Sequence, residues 1–260
     1  MRMGGGGVPM VGGGLGIVGI VVFLLMNVLG GGGGGGGGGL GLPSLAPVAA
    51  PSQETGETIP ADDDAAQFMS FVLEDVQVAW RQIFRDAGRS YEDTTLVLFS
   101  DATQTACGVG QSATGPFYCP ADRQVYIDLT FWDELKNRFG AGGDFAQAYV
   151  VAHEVGHHVQ TLLGISEQVR SREDGIKLEL QADCFAGVWG NRAQAAGLLE
   201  RGDLEEGLGA AAAVGDDRIQ EQTQGRVDPE TWTHGSAEQR MEWFEVGFDS
   251  GDPDQCDTFS

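Results

Sequence analysis

The sequence predicts an α+β domain that is mostly helical and contains a small β-sheet. Apolar residues recur every three or four positions, the spacing of amphipathic helices, over residues 68–87, 148–162 and 178–189. Short runs at residues 95–99 and 124–128 are rich in β-branched and aromatic side chains and predict strands. Helices should therefore make up most of the domain.

Residues 1–29 predict a transmembrane anchor. No charged side chain occurs over residues 8–29, and about 20 predominantly apolar residues can span a bilayer as a helix. Arg2 precedes this span and Glu54 is the first acidic residue after it, which favours an N-terminus inside the cell and a domain outside. A cleaved signal peptide, processed near Ala46, Ala49 or Ala50, is the alternative. We favour a single-pass protein of the cell membrane with an extracytoplasmic domain.

A flexible linker is expected over residues 30–61, because residues 30–39 are all glycine and residues 43–60 form a spacer with proline, serine and alanine. The globular domain should occupy residues 62–260. The acidic residues 62–64 at the start of this domain favour the beginning of its first helix there. Gly88 suits the end of that helix.

Four cysteines allow three disulfide pairings, and an extracytoplasmic domain could oxidise them. Cys107 and Cys119 bracket a turn-rich loop, so a local bridge is expected between them. Cys184 and Cys256 would then form the second bridge. Free thiols are the alternative. A cysteine metal site is not indicated, because the chain has no Cys-x-x-Cys spacing.

The helix predicted over residues 148–162 contains the most informative motif. His153 and His157 are four residues apart and lie on one helical face, so both imidazoles can reach one ion. Glu154 borders that face, where it can act on a metal-bound water without binding the metal itself. A chance occurrence of this short pattern is the alternative. His158 points about 100° away from His157, and we interpret it as structural.

A catalytic zinc usually takes three protein ligands, so a third residue is required. The metzincin pattern needs a glycine and a histidine where this chain has Gln160 and Leu163, and that pattern is excluded. Glu179, on the next predicted helix, is the remaining candidate. Asp183 lies one turn later on the same face, where it could accept the free ring N–H of a zinc-bound histidine.

The chain resembles the bacterial neutral zinc metallopeptidase family. The similarity extends over residues 68–259 and rests on residues 151–160, 179–189, 115–120, 125–129 and 233–237. It implies a zincin-like fold, a glutamate as third zinc ligand, and protein or peptide substrates. In that fold an edge strand ahead of the active helix pairs with an extended substrate. Residues 124–128 are either that edge strand or an ordinary core strand.

His234 precedes Ser236, which has the character of a helix N-cap, so the histidine should lie in a loop. From there it could donate a hydrogen bond to the oxyanion that forms during hydrolysis. It could equally hold a network in the core, and the sequence leaves both interpretations open.

Composition and motifs separate the remaining functional classes. The chain has 38 acidic and 15 basic residues and a net charge of −23, so it lacks the basic patch of a nucleic-acid-binding protein. No Gly-x-Ser-x-Gly motif supports a serine nucleophile. A catalytically inactive, membrane-tethered binding or scaffolding domain that contains zinc is the rival interpretation. Glu154 beside a three-ligand set favours a Zn²⁺-dependent metallopeptidase, while the oligomeric state is not indicated.

Overall fold

A computed structural model describes residues 64–111, 115–137 and 140–260. Within these ranges the predicted α+β fold is confirmed, with seven α-helices and five short strands. The helices are α1 (Asp64–Asp86), α2 (Phe131–Asn137), α3 (Asp144–Leu163), α4 (Arg172–Ala195), α5 (Asp203–Ala213), α6 (Asp216–Gln224) and α7 (Ala237–Ser250). The strands are β1 (Thr95–Phe99), β2 (Ala102–Thr105), β3 (Gly108–Gln111), β4 (Phe117–Cys119) and β5 (Gln124–Asp128).

The expected anchor and linker, residues 1–61, lie outside the described residues. In the described part of the chain, no helix has the length and apolar character needed to cross a membrane.

The larger sheet has the strand order β1-β5-β4, with β5 parallel to β1 and antiparallel to β4. The strand at residues 124–128 is therefore central, and its interpretation as an edge strand is wrong. Val125 and Ile127 on β5 are completely buried, as expected of a core strand. The edge strand next to α3 is instead β4, which has only three residues and gives too weak a pattern to predict.

Helix α3 lies at the centre of the domain, and almost every side chain from Phe145 to Gln160 is buried. It ends at Gly164, whose φ of 72° is the left-handed conformation that glycine adopts without strain. The chain then turns back into α4, which begins with a capping box formed by Ser171 and Asp174. This turn brings the two predicted ligand helices against each other.

Helices α4 and α7 pack backbone against backbone. A β-carbon on Gly187 of α4 would collide with the carbonyl oxygen of Phe244, and one on Gly247 of α7 would collide with that of Cys184. The two glycines therefore permit a close approach that no larger residue allows, and α7 can deliver a side chain to the side of α4 that carries Asp183.

Both predicted disulfides are present, and no described cysteine is free. Cys107–Cys119 links the turn of the β2–β3 hairpin to β4. Cys184–Cys256 fastens the C-terminal segment to α4, one residue beyond Asp183.

Candidate metal centre

The structure brings His153, His157 and Glu179 together in a buried cluster at the interface of α3 and α4. Oε2 of Glu179 lies 3.3 Å from Nε2 of His153 and 3.5 Å from Nε2 of His157. Two ligand atoms that share a tetrahedral zinc at ordinary bond lengths are separated by about 3.3 Å. The spacing of this cluster therefore matches a shared zinc ion.

Unpaired polar atoms in the cluster provide an independent test of this fit. Oε2 of Glu154 and Nε2 of His157 are buried and have no hydrogen-bond partner, and Oε2 of Glu179 has only the two histidine nitrogens close to it. Buried polar atoms without a partner are rare and need an explanation. Two imidazole nitrogens and one carboxylate oxygen are typical zinc ligands, and Glu154 adds an acceptor for a nearby water. The residues fit the predicted Zn²⁺.

The outer nitrogen of His153 is held by Asp183, as the helical spacing predicted. Nδ1 of His153 lies 2.8 Å from Oδ1 of Asp183, so the ring's Nε2 is left for a metal. The same carboxylate accepts hydrogen bonds from the hydroxyl of Tyr149 and, at 2.7 and 2.8 Å, from two nitrogens of Arg240. No pattern in the sequence indicated a role for Tyr149 or Arg240.

These contacts determine the charges around His153. Burial raises the pKa of Asp183, but the charges and hydrogen bonds of Arg240 and His153 outweigh burial and hold it at about 2. For His153, burial lowers the pKa, but Asp183 and Glu179 outweigh this and raise it to about 9. The metal-free cluster therefore keeps a proton on His153 at neutral pH, and a bound metal would replace that proton.

Glu154 and Glu179 are both fully buried but have opposite pKa shifts. Burial raises the pKa of Glu154, and the nearby His157 and His153 only partly offset this effect. Burial also acts on Glu179, yet His157 and His153 hold its pKa well below the usual range. One carboxylate is thus stabilised as an anion, as a ligand should be, while the other takes up a proton more readily.

His234 lies in the loop before α7, and Ser236 caps that helix as predicted. Nδ1 of His234 is 3.2 Å from Oδ1 of Asp216. The other oxygen of Asp216 accepts the backbone N–H groups of Thr233 and His234, both at 2.6 Å. His234 is buried, and its charge contributes to the low pKa of Glu179, so it belongs to the surroundings of the cluster. Asp216, which fixes this loop, had no signal in the sequence.

His158 takes no part in the ligand cluster. Its Nδ1 lies 3.0 Å from the hydroxyl of Tyr118, and its Nε2 lies 2.6 Å from the carbonyl oxygen of Glu92. The ring is completely buried between these partners. This environment agrees with its structural interpretation.

Comparisons with known proteins give a consistent result. The chain is 49% identical over 267 residues to "Uncharacterized protein YpfJ" of Escherichia coli K12, and the aligned region covers 99% of this chain and 91% of that protein. It is 47% identical over 201 residues to "Uncharacterized protein Rv2575" of Mycobacterium tuberculosis H37Rv, covering 71% of this chain and 67% of the relative. No solved structure matches the chain significantly. The family described as "Putative neutral zinc metallopeptidase" matches residues 1–259, and the chain belongs to this family.

Proposed function

We propose that this protein is a zinc-dependent peptidase that hydrolyses peptide bonds in protein or peptide substrates. The observation that carries the proposal is the buried, unpaired carboxylate oxygen of Glu154 beside the cluster of His153, His157 and Glu179. A structural zinc site usually has four closed protein ligands and needs no such neighbour. Membership of the metallopeptidase family supports the same conclusion.

His153, His157 and Glu179 would hold the zinc. When bound, zinc supplies Lewis-acid chemistry that makes water nucleophilic near neutral pH and polarises the substrate carbonyl. Glu154 accepts the proton of the attacking water and then delivers it to the leaving amine. Its raised pKa suits this exchange, because a carboxylate shifted towards neutral pH both takes and returns a proton more readily.

His234 is proposed to stabilise the oxyanion of the tetrahedral intermediate. Asp216 accepts a hydrogen bond from Nδ1 of the ring, and in the doubly protonated ring Nε2 also carries a proton, which it can donate where negative charge develops. Asp216 remains anionic for this purpose, because its contacts with His234 outweigh burial and lower its pKa. His234→Ala should therefore reduce turnover.

An extended substrate is proposed to pair with the free side of β4. Among the described strands, β4 is bonded only to β5, and its Tyr118 contacts His158 on the active helix. Addition of a substrate strand at a sheet edge supplies backbone hydrogen bonds without requiring one particular sequence.

The deciding experiment compares wild type with Glu154→Gln. We expect both to bind one zinc, and peptide-library cleavage to fall at least about 100-fold in the variant, because the proton carrier is lost. Glu173→Gln, on the exposed surface of α4, is the matched control and should retain full activity. Zinc binding in all three proteins without cleavage in any would instead favour a zinc-containing binding or scaffolding domain.

We also propose that the catalytic domain lies outside the cytoplasm and is tethered to the membrane by residues 1–29. The apolar N-terminal sequence supports the tether, and two disulfides support an oxidising compartment.

A further inference from the structure

A chain of buried amide groups leads away from the second candidate ligand, His157. Nδ1 of His157 lies 2.9 Å from Oε1 of Gln160. Nε2 of Gln160 donates to the carbonyl oxygen of Leu178 at 2.7 Å and to Oε1 of Gln181 at 3.2 Å. Nε2 of Gln181 in turn donates to the carbonyl oxygen of Cys256 at 2.8 Å. Both glutamines are buried.

The two backbone carbonyls determine which group donates and which accepts in each of these hydrogen bonds. A carbonyl oxygen only accepts hydrogen bonds, so the NH₂ group of Gln181 must face Cys256 and the NH₂ group of Gln160 must face Leu178. The side-chain oxygen of Gln160 is therefore turned towards His157, and the ring must donate from Nδ1. The neutral imidazole then has its lone pair on Nε2, the atom that faces Glu179 in the candidate metal centre.

We infer that Gln160 is a positioning residue for His157, and that Gln181 and the Cys256 carbonyl hold Gln160 in this orientation. The inference rests on the proposed zinc site. It assigns Gln160 the same role towards His157 that Asp183 has towards His153, since an outer partner fixes the tautomer and the ring angle of a metal ligand. The Cys184–Cys256 disulfide fixes Cys256, at the far end of this series of hydrogen bonds, to α4.

The use of a neutral amide has an electrostatic reason. Glu154, Glu179 and Asp183 already place three carboxyl groups in this buried region. A fourth carboxylate beside His157 would add repulsion and a desolvation cost. An amide oxygen orients the ring without adding charge.

Zinc affinity of the full chain, measured by competition with a chelator, tests the inference without relying on peptidase activity. Gln160→Leu is expected to weaken zinc binding by about 10- to 100-fold, the usual effect of losing an outer partner. Gln181→Leu should weaken it less, because Gln160 keeps its bond to Leu178. The control is Gln77→Leu, which removes another buried glutamine that binds the backbone N–H of Thr94, and it should leave zinc affinity unchanged.

Nuclear magnetic resonance of the zinc-loaded protein provides a second readout that a general loss of stability would not imitate. With only four histidines, the ring signals can be assigned. The Nδ1 proton of His157 should exchange slowly in wild type and rapidly in Gln160→Leu, while that of His153 stays protected by Asp183 in both proteins.

Three outcomes would overturn the inference. Equal zinc affinity of Gln160→Leu and Gln77→Leu would do so, as would zinc coordination through Nδ1 of His157 in wild type. A wild-type chain that binds no zinc would overturn both this inference and the proposed function. A wild type that binds zinc but cleaves no peptide would refute only the peptidase, and the loss of affinity in Gln160→Leu would still support the role of Gln160.

Discussion

The carboxylate of Asp183 connects the candidate ligands to the rest of the domain. It is completely buried and accepts hydrogen bonds from His153, Tyr149 and Arg240. Removing one partner of such a buried ion pair typically costs about 3–5 kcal/mol, because the other charge is left uncompensated. Losing the charge on Asp183 would thus destabilise the fold, and its presence raises the pKa of His153.

The first residue-scale prediction concerns protons. Because the pKa of His153 is about 9 without metal, zinc must displace a proton from it at neutral pH. Zinc affinity should rise by about tenfold per pH unit for each proton displaced, until the pH reaches the pKa. Calorimetry in buffers of different ionisation enthalpy would measure the released protons, and a heat of binding independent of the buffer would contradict this prediction.

The same shift affects the stability of the metal-free protein. A folded-state pKa above the unfolded value of 6.5 means that the stabilisation from protonated His153 is complete below that pH and is lost as the pH rises through about 9. Zinc binding and metal-free stability should therefore change in opposite directions over this interval.

The candidate site was only partly predictable from sequence, and the reason is distance along the chain. His153, Glu154 and His157 share one helix, so their geometry follows from residue spacing. Tyr149 stands one turn before His153 and could have been found by the same reasoning. Arg240 is separated from Asp183 by 57 residues, and its position depends on the packing of α7, for which no local pattern exists.

At the scale of elements, the predictions succeeded where side-chain patterns were strong. Strands β1 and β5 occur at the predicted residues because their β-branched and aromatic side chains suit a buried sheet. The order of the strands in the sheet could not be predicted from these patterns. It depends on β4, which is only three residues long and pairs with β5 through a turn. The first helix was also predicted, over residues 68–87, and the described helix spans Asp64–Asp86.

The contact between α4 and α7 gives an element-scale prediction. Gly247→Ala should reduce the free energy of unfolding by about 1–3 kcal/mol, because its new methyl group would collide with the backbone of Cys184 and force the helices apart. Gly209→Ala is the matched control on α5. Its methyl group meets no neighbour, and removing a mid-helix glycine should stabilise by about 0.5–1 kcal/mol.

Denaturant unfolding of the metal-free proteins measures both effects, and zinc titration adds a functional readout. Displacement of α7 would also move Arg240, so Gly247→Ala should weaken zinc binding while Gly209→Ala should not. Equal stability of Gly247→Ala and wild type would show that the helices separate without cost.

At the scale of the whole molecule, two disulfides of different span hold the domain together. Their sequence separations are 12 and 72 residues, and chain entropy assigns them about 3 and about 4 kcal/mol of stabilisation. Stabilisation of this size is available only where cysteines remain oxidised, which is a property of extracytoplasmic compartments. The extracytoplasmic topology proposed above would provide the oxidising conditions that both disulfides need.

That topology can be tested with C-terminal fusions of the full chain. If the domain lies outside the cytoplasm, an alkaline phosphatase fusion should be active, because that enzyme folds only outside the cytoplasm. A green fluorescent protein fusion should be dark, because that protein does not become fluorescent after export by the general pathway. Removing residues 2–29 should reverse both signals and release the protein from the membrane fraction, since the proposed anchor is then lost.

The exported domain should contain no alkylatable thiol until it is reduced, because all four cysteines are paired. Fluorescence of the full-length fusion together with four reactive thiols would place the domain in the cytoplasm and refute the proposed topology.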